Sequence, residues 1–187
     1  MPHLWMRLLQ AVEGSVLWIP QGDPVAAANL RRAAQLRGVA PQRIIFARYE
    51  KQPENYLARQ RLADLFLDTQ PYNAHSTGCD ALWVGLPILT CLGKAFPARV
   101  AASLLHAIGL PELVTSSLAE YEERALALAR DPQLLKAIQE KLVRNRETEP
   151  LFDIARFTRD LESVYGVMRE RQRAGLAPEH FSIMSSR

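Results

Sequence analysis

Apolar residues in the first two thirds of the chain come in short blocks set apart by proline, glycine and polar stretches. Leu4, Leu8, Leu9 and Val12 recur at helical spacing and Gly14 ends the segment, which predicts a helix over residues 3–12. Ser15-Val-Leu-Trp-Ile19 is a compact run of strand formers closed by Pro20. Asp23-Pro24 pairs an N-cap residue with proline at the first helical position, and Leu30, Ala33, Ala34 and Arg37 carry that helix to Gly38. A second strand follows at Arg43–Ala47, a short polar helix at 53–61, and a third strand at Leu62–Asp68. Residues 69–77 form a turn-rich loop, 78–84 a helix ended by Gly85, Leu86–Thr90 a fourth strand, 97–107 a helix ended by Gly109, and Leu113-Val114 a short fifth strand. From Ser117 the pattern is helical alone, over residues 117–130, 132–146 and 154–172, with Leu126, Leu134, Leu142 and Phe157 as core positions.

Short strands alternating with helices mean βαβ units and a parallel sheet. Strands that are nearly all apolar mean that helices cover both faces. The expected fold is therefore α/β, a Rossmann-like doubly wound parallel sheet with a C-terminal helical extension. The expected boundaries are one domain over residues 1–150, a helix over 151–175 that packs back on the domain or on a partner, and a flexible tail over 176–187.

Composition narrows the function classes only modestly. With 23 Lys and Arg against 20 Asp and Glu, the net charge of +3 is too small to argue for nucleic acid, and the charges are interspersed. Two cysteines, Cys79 and Cys91, lack the count and spacing of a metal site and read as reduced thiols of a cytoplasmic protein. The N-terminus is no signal peptide, and no apolar run approaches the roughly 18 residues a membrane span needs.

Ligands of open α/β sheets bind beyond the carboxyl ends of the strands. The loop from Asp68 to Asp80, Asp-Thr-Gln-Pro-Tyr-Asn-Ala-His-Ser-Thr-Gly-Cys-Asp, runs from a buried strand into a helix N-terminus. Ser76, Thr77 and Gly78 are small, so their backbone N–H groups can approach a phosphate at the positive end of the helix. His75 would add a donor, and Asp80, placed in the first turn, an acceptor for ribose hydroxyls. The same letters also serve as an ordinary N-cap with an acid complementing the helix dipole, and His75 as a hydrogen-bonded surface residue; the local pattern admits both readings. In the loop after the second strand, Tyr56 has a face on which a base can stack, and Lys51, Arg48 and Arg59 carry polar contacts; a solvated charged loop fits as well. Gly93 and Lys94, after the fourth strand, admit the same two readings.

The strand Leu62-Ala-Asp-Leu-Phe-Leu-Asp-Thr69 followed by Tyr72-Asn-Ala-His-Ser-Thr-Gly-Cys-Asp-Ala-Leu-Trp83 resembles the donor-site segment of the O-GlcNAc transferase/SPINDLY family of glycosyltransferases. Ser15–Trp18, Arg43–Phe46, Pro87–Thr90, Pro97–Leu105, Leu151-Phe152 and the helix near Tyr165 extend the likeness over residues 4–172. The resemblance implies the C-terminal, donor-binding domain of a GT-B enzyme, with no metal or other cofactor and UDP-GlcNAc as the usual donor. By the family pattern His75, Ser76, Thr77 and Gly78 hold the donor diphosphate, Asp80 the ribose, and Tyr56, Arg59 and Lys51 the base, the family's lysine falling on Lys51 with a gap or on Pro53 without one. Tyr56 stands where the family often has histidine, and Lys94 where it often has an acid, so Lys94 receives no role. A further family lysine, the N-terminal catalytic domain and the tetratricopeptide array that engages acceptor proteins lie outside these residues. No catalytic residue is therefore expected in this chain, and a domain parted from its partner is expected to self-associate. Transfer from GDP-fucose or UDP-glucose, and a non-catalytic nucleotide- or protein-binding module, are the alternatives.

Overall fold

In the computed structural model, which describes residues 1–183, the first element is α1 (Pro2–Ala11). Strands and helices then alternate: β1 (Leu17–Pro20), α2 (Pro24–Gln35), β2 (Ile44–Ala47), α3 (Pro53–Gln60), β3 (Phe66–Leu67), α4 (Ser76–Trp83), β4 (Ile88–Cys91), α5 (Val100–Ala107) and β5 (Val114–Thr115). Three helices close the chain: α6 (Leu118–Arg130), α7 (Pro132–Thr148) and α8 (Ile154–Arg173). The N-cap read at Asp23 forms, and two more appear at Ser117 and Asp131. Asp23 Oδ1 accepts the N–H groups of Val25 and Ala26 at 2.8 and 3.0 Å, and Ser117 and Asp131 cap α6 and α7 in the same manner.

Every strand pair is parallel. β1 pairs with β2 from Leu17↔Ile44 to Pro20↔Ala47, while β4 lies between β3 and β5. The two groups share no ladder bond among the described residues, so the strands form blocks of two and three. β4 is bonded on both edges, and all four of its residues are buried, as expected of a central parallel strand. The third strand is shorter than the run Leu62–Asp68. The amides of Arg61, Leu62 and Ala63 still bond back to Ala58, Arg59 and Gln60, so the chain leaves α3 as a turn and Leu62 stands exposed.

Helix α1 joins the two blocks. Leu4 and Leu8 belong to the larger core around Leu82, Ile88, Leu89 and Leu128, whereas Met6 and Leu9 belong to the smaller one with Leu17 and Ile44. At 3.6 residues per turn these four span an arc of roughly 200°, with Trp5 in the middle, and Trp5 packs against both cores. Arg7 fixes the same helix to α6, its Nε donating to Glu122 Oε1 at 2.6 Å.

Helix α8 has no buried residue. Ile154, Phe157, Leu161, Tyr165 and Met168 recur every three or four positions and are all exposed. Phe157, placed in the core by its spacing, is 62% exposed: helical period identifies an apolar face but not what covers it. Residues 176–183 have no helix or strand, and the rest of the expected tail, 184–187, lies outside the described residues. Among the described residues no helix is long and apolar enough to cross a membrane.

Leu8 is 8% exposed and Leu36 76%. Leu8→Ala is expected to lower unfolding stability in urea by about 2–5 kcal/mol, and Leu36→Ala by no more than about 0.5 kcal/mol.

Candidate functional site

Helix α4 starts at Ser76, two residues earlier than its sequence pattern suggests, with His75 at the N-cap and no side chain capping the end. The amides of Gly78 and Cys79 both donate to His75 O, at 3.0 and 3.1 Å. Those of Ser76 and Thr77 have no hydrogen-bond partner among the described residues, and both residues are exposed. Two donors without a partner thus stand on exposed residues at the positive end of a helix. Gly78 has a different task from the one its small size suggested. A Cβ there would meet Leu104 Cδ1 at 3.2 Å and Ala74 Cβ and Ile88 Cδ1 at 3.4 Å, so the glycine lets the start of α4 lie close against α5 and β4. Asp80 sits in the second turn of α4, not the first, because the helix begins early.

His75 is held by two aromatic rings. Its imidazole stacks on Tyr72, with centroids 4.8 Å apart and planes 19° from parallel, and Phe96 meets it edge-on at 6.2 Å. Nε2 lies 3.5 Å from Pro97 O. Tyr72 comes from the loop after β3 and Phe96 from the segment after β4, and both are largely exposed. Nothing in the spacing of these residues along the chain announces the sandwich, since two different strands deliver its members.

Behind this surface lies a buried polar cluster that the sequence did not reveal. Asp68 is 2% exposed. Its Oδ1 accepts the Ala74 N–H at 2.7 Å, its Oδ2 accepts the Thr90 hydroxyl at 2.5 Å, and its carbonyl accepts the Tyr121 hydroxyl at 3.0 Å. Thr115 Oγ1 donates to Thr90 O at 2.9 Å. Asn73 donates its backbone N–H to Pro97 O and its side-chain amide to Thr69 O, both at 2.9 Å. Burial raises the Asp68 pKa, opposed by the hydrogen bonds from Thr90 and Ala74. Burial likewise drives the Tyr121 phenol far up, so it stays a neutral donor. The one sequence signal for this cluster is an acid ending an apolar strand.

Tyr56 lies on α3, which packs against α4. Burial first, then the charge of and hydrogen bond to Asp80, raise the pKa of its hydroxyl. The residues expected at the base and at the ribose are therefore neighbours. Arg59 donates to Arg48 O at 2.5 Å, and its guanidinium lies 5.7 Å from the Trp18 ring centre. Lys51 is exposed on the loop before α3, and Lys94 is exposed after β4. Gly93 is needed for packing, since a Cβ there would come within 2.4 Å of Ala98 Cβ. Cys79 and Cys91 are free, with thiol pKa values raised by burial. Among the described residues no group of three or more His, Cys, Asp or Glu is placed to hold a metal ion.

Comparison with known proteins gives these residues a context. The profile described as glycosyl transferase family 41 matches residues 2–161. A probable UDP-N-acetylglucosamine--peptide N-acetylglucosaminyltransferase SEC of Arabidopsis thaliana is 37% identical over 98% of this chain, which spans 19% of that protein. The UDP-N-acetylglucosamine--peptide N-acetylglucosaminyltransferase of Caenorhabditis elegans is 34% identical over 96% of the chain and 16% of its own length. The structure of a mutant O-GlcNAc transferase from Thermobaculum terrenum superposes with a TM-score of 0.84 at 34% identity, covering 93% of this chain and 34% of that one. The chain thus spans about a fifth of the curated relatives it matches.

Because the folded pKa of Asp68 is raised, its contribution to stability is fully present below the ordinary carboxylate pKa and is lost as pH rises through the raised value. Urea midpoints measured from pH 4 upward should fall less steeply across that window in Asp68→Asn than in the unaltered chain.

Proposed function

The chain belongs to glycosyl transferase family 41, and from that premise we propose that it is the donor-binding part of a transferase that moves N-acetylglucosamine from UDP-GlcNAc to a Ser or Thr hydroxyl of a protein. The observation that carries this reading is the pair of free amides at Ser76 and Thr77 beside the ring-held His75. They lie in the loop-to-helix segment that follows β3, at the carboxyl end of a parallel strand, where α/β sheets bind ligands. A diphosphate seated there accepts from the two amides and from His75. The charge that develops on it as the glycosidic bond breaks meets donors already in place. Asp80 accepts from the ribose, and Tyr56 and Arg59, with Lys51 from the preceding loop, flank the base.

The boundaries that follow are a donor domain over residues 1–150 and a helix over 151–175 that reaches toward other parts of the enzyme. The acceptor peptide and the group that deprotonates its hydroxyl come from outside this chain, which is inactive in transfer alone. No metal is needed, and the setting is the cytoplasm. The exposed apolar stripe of α8 favours self-association until it is covered.

Calorimetric titration with UDP, GDP and UDP-GlcNAc tests the donor site. UDP and UDP-GlcNAc should bind, and Asp80→Ala and His75→Ala should each weaken UDP at least tenfold, about 1.4 kcal/mol. A preference for GDP moves the donor to the fucosyl class, and no binding of any nucleotide overturns the reading. Light scattering tests the stripe: the chain should associate as concentration rises, and Phe157→Lys with Leu161→Lys should return it to monomer.

A further inference from the structure

A buried polar group destabilises a fold unless it is fully hydrogen-bonded, so the location of such groups indicates where geometry is being held. Among the described residues the buried polar side chains are Asp68, Asn73, Thr90 and Thr115. Asp68, Thr90 and Thr115 are joined by hydrogen bonds behind the start of α4, and Asn73 ties the same loop to Thr69 O and Pro97 O, with its own Oδ1 left without a partner. The segment they hold, residues 69–75, has no helix or strand of its own. Its path depends on a few bonds, of which Asp68 Oδ1 to the Ala74 N–H is the last before His75.

We propose that Asp68 is a positioning residue for the diphosphate site: by holding the Ala74 amide inward against β4, it fixes His75 and turns the next two amides outward. This rests on the donor-site reading above. One carboxylate oxygen grips the loop and the other grips Thr90 on the central strand, so the loop is registered to the most buried part of the sheet. Ala74 is itself buried, and an unsatisfied amide there would be costly. Without the clamp the loop relaxes by turning that amide toward solvent, which displaces the N-cap and the Ser76 and Thr77 donors with it. The grip on the loop needs one acceptor oxygen, not charge: an amide oxygen takes the Ala74 N–H while its NH2 donates to the Thr90 hydroxyl. A carboxylate beneath an anion site opposes the ligand, so an amide in its place keeps the geometry and removes the repulsion.

The test compares the unaltered chain with Asp68→Asn and Asp68→Ala by UDP calorimetry and by amide hydrogen exchange without ligand. Asp68→Ala should weaken UDP at least tenfold and speed exchange at least tenfold at the bonded amides of residues 73, 74, 78 and 79, with β4 and α6 unchanged. Asp68→Asn should restore slow exchange and bind UDP within threefold of the unaltered chain or more tightly. UDP affinity in Asp68→Ala equal to the unaltered chain, or Asp68→Asn as weak as Asp68→Ala, overturns the proposal. If the unaltered chain binds no nucleotide, the donor-site reading fails while the exchange comparison still decides the clamp. If Asp68→Ala does not fold, Thr90→Val takes its place: exchange at residues 73, 74, 78 and 79 should rise at least threefold, and no change counts against the clamp.

Discussion

The carboxyl edge of this molecule depends on β4. It is bonded to β3 on one side and β5 on the other, and all four of its residues are buried. A strand with neighbours on both edges and helices on both faces has little freedom to shift, because any movement must repack its surroundings. The loops that build the site are tied to it or to its ends. Thr90 holds Asp68, the carbonyl of Cys91 accepts from Gln70, and Leu92 N–H bonds to Thr115 O. Helix α4 is laid against the same strand through Gly78, whose missing side chain permits the close approach. The precision of the helix N-terminus is therefore borrowed from the sheet. An eight-residue helix would supply little by itself, since helices this short are marginal without tertiary packing.

The second block, β1 and β2 with α2, is attached more loosely. Its link to the first is α1, which places Leu4 and Leu8 in one core and Met6 and Leu9 in the other. One helix serving two cores has to be apolar around more than half its circumference, and this leaves Arg7 on the narrow remainder to reach Glu122. The arrangement explains why a strongly apolar helix opens the chain. It also bears on the site, because Trp18 on β1 carries the guanidinium of Arg59. The position of Arg59 thus reports on how the two blocks are joined.

Local signals in the sequence were read correctly where local chemistry decides. Asp23 caps its helix because an oxygen acceptor beside free amides needs no distant partner. Reading failed where partners are far apart in the chain. Leu62 looks like part of a strand by hydropathy, yet the turn leaving α3 takes its amide. Ser76 and Thr77 look like loop because serine and threonine are poor helix formers, yet packing on β4 and α5 draws the helix start back to Ser76. Phe157 has core spacing but no cover. The family likeness singled out His75, Ser76, Thr77 and Asp80 as candidates, and in the structure Tyr56 neighbours Asp80. The ring sandwich and the Asp68 cluster could not be read, since Tyr72 with Phe96 and Asp68 with Thr90 meet only once β3 and β4 are paired.

A carboxylate buried behind the proposed anion site looks like an electrostatic mistake, and its resolution says how such a site would be built. The like charge opposes a diphosphate, and the low dielectric of the interior strengthens that opposition. The donors around Asp68, the Ala74 amide and the Thr90 hydroxyl, point at it and away from the surface. They are spent on structure. What remains for a ligand is the pair of amides at Ser76 and Thr77, together with His75, whose ring is fixed by Tyr72 and Phe96. A neutral acceptor would hold the loop as well, but only a carboxylate offers two acceptor oxygens without a donor that needs a partner of its own. The cost of the buried charge is set against a loop that keeps one shape, and a donor site that must meet developing charge without rearranging needs that single shape.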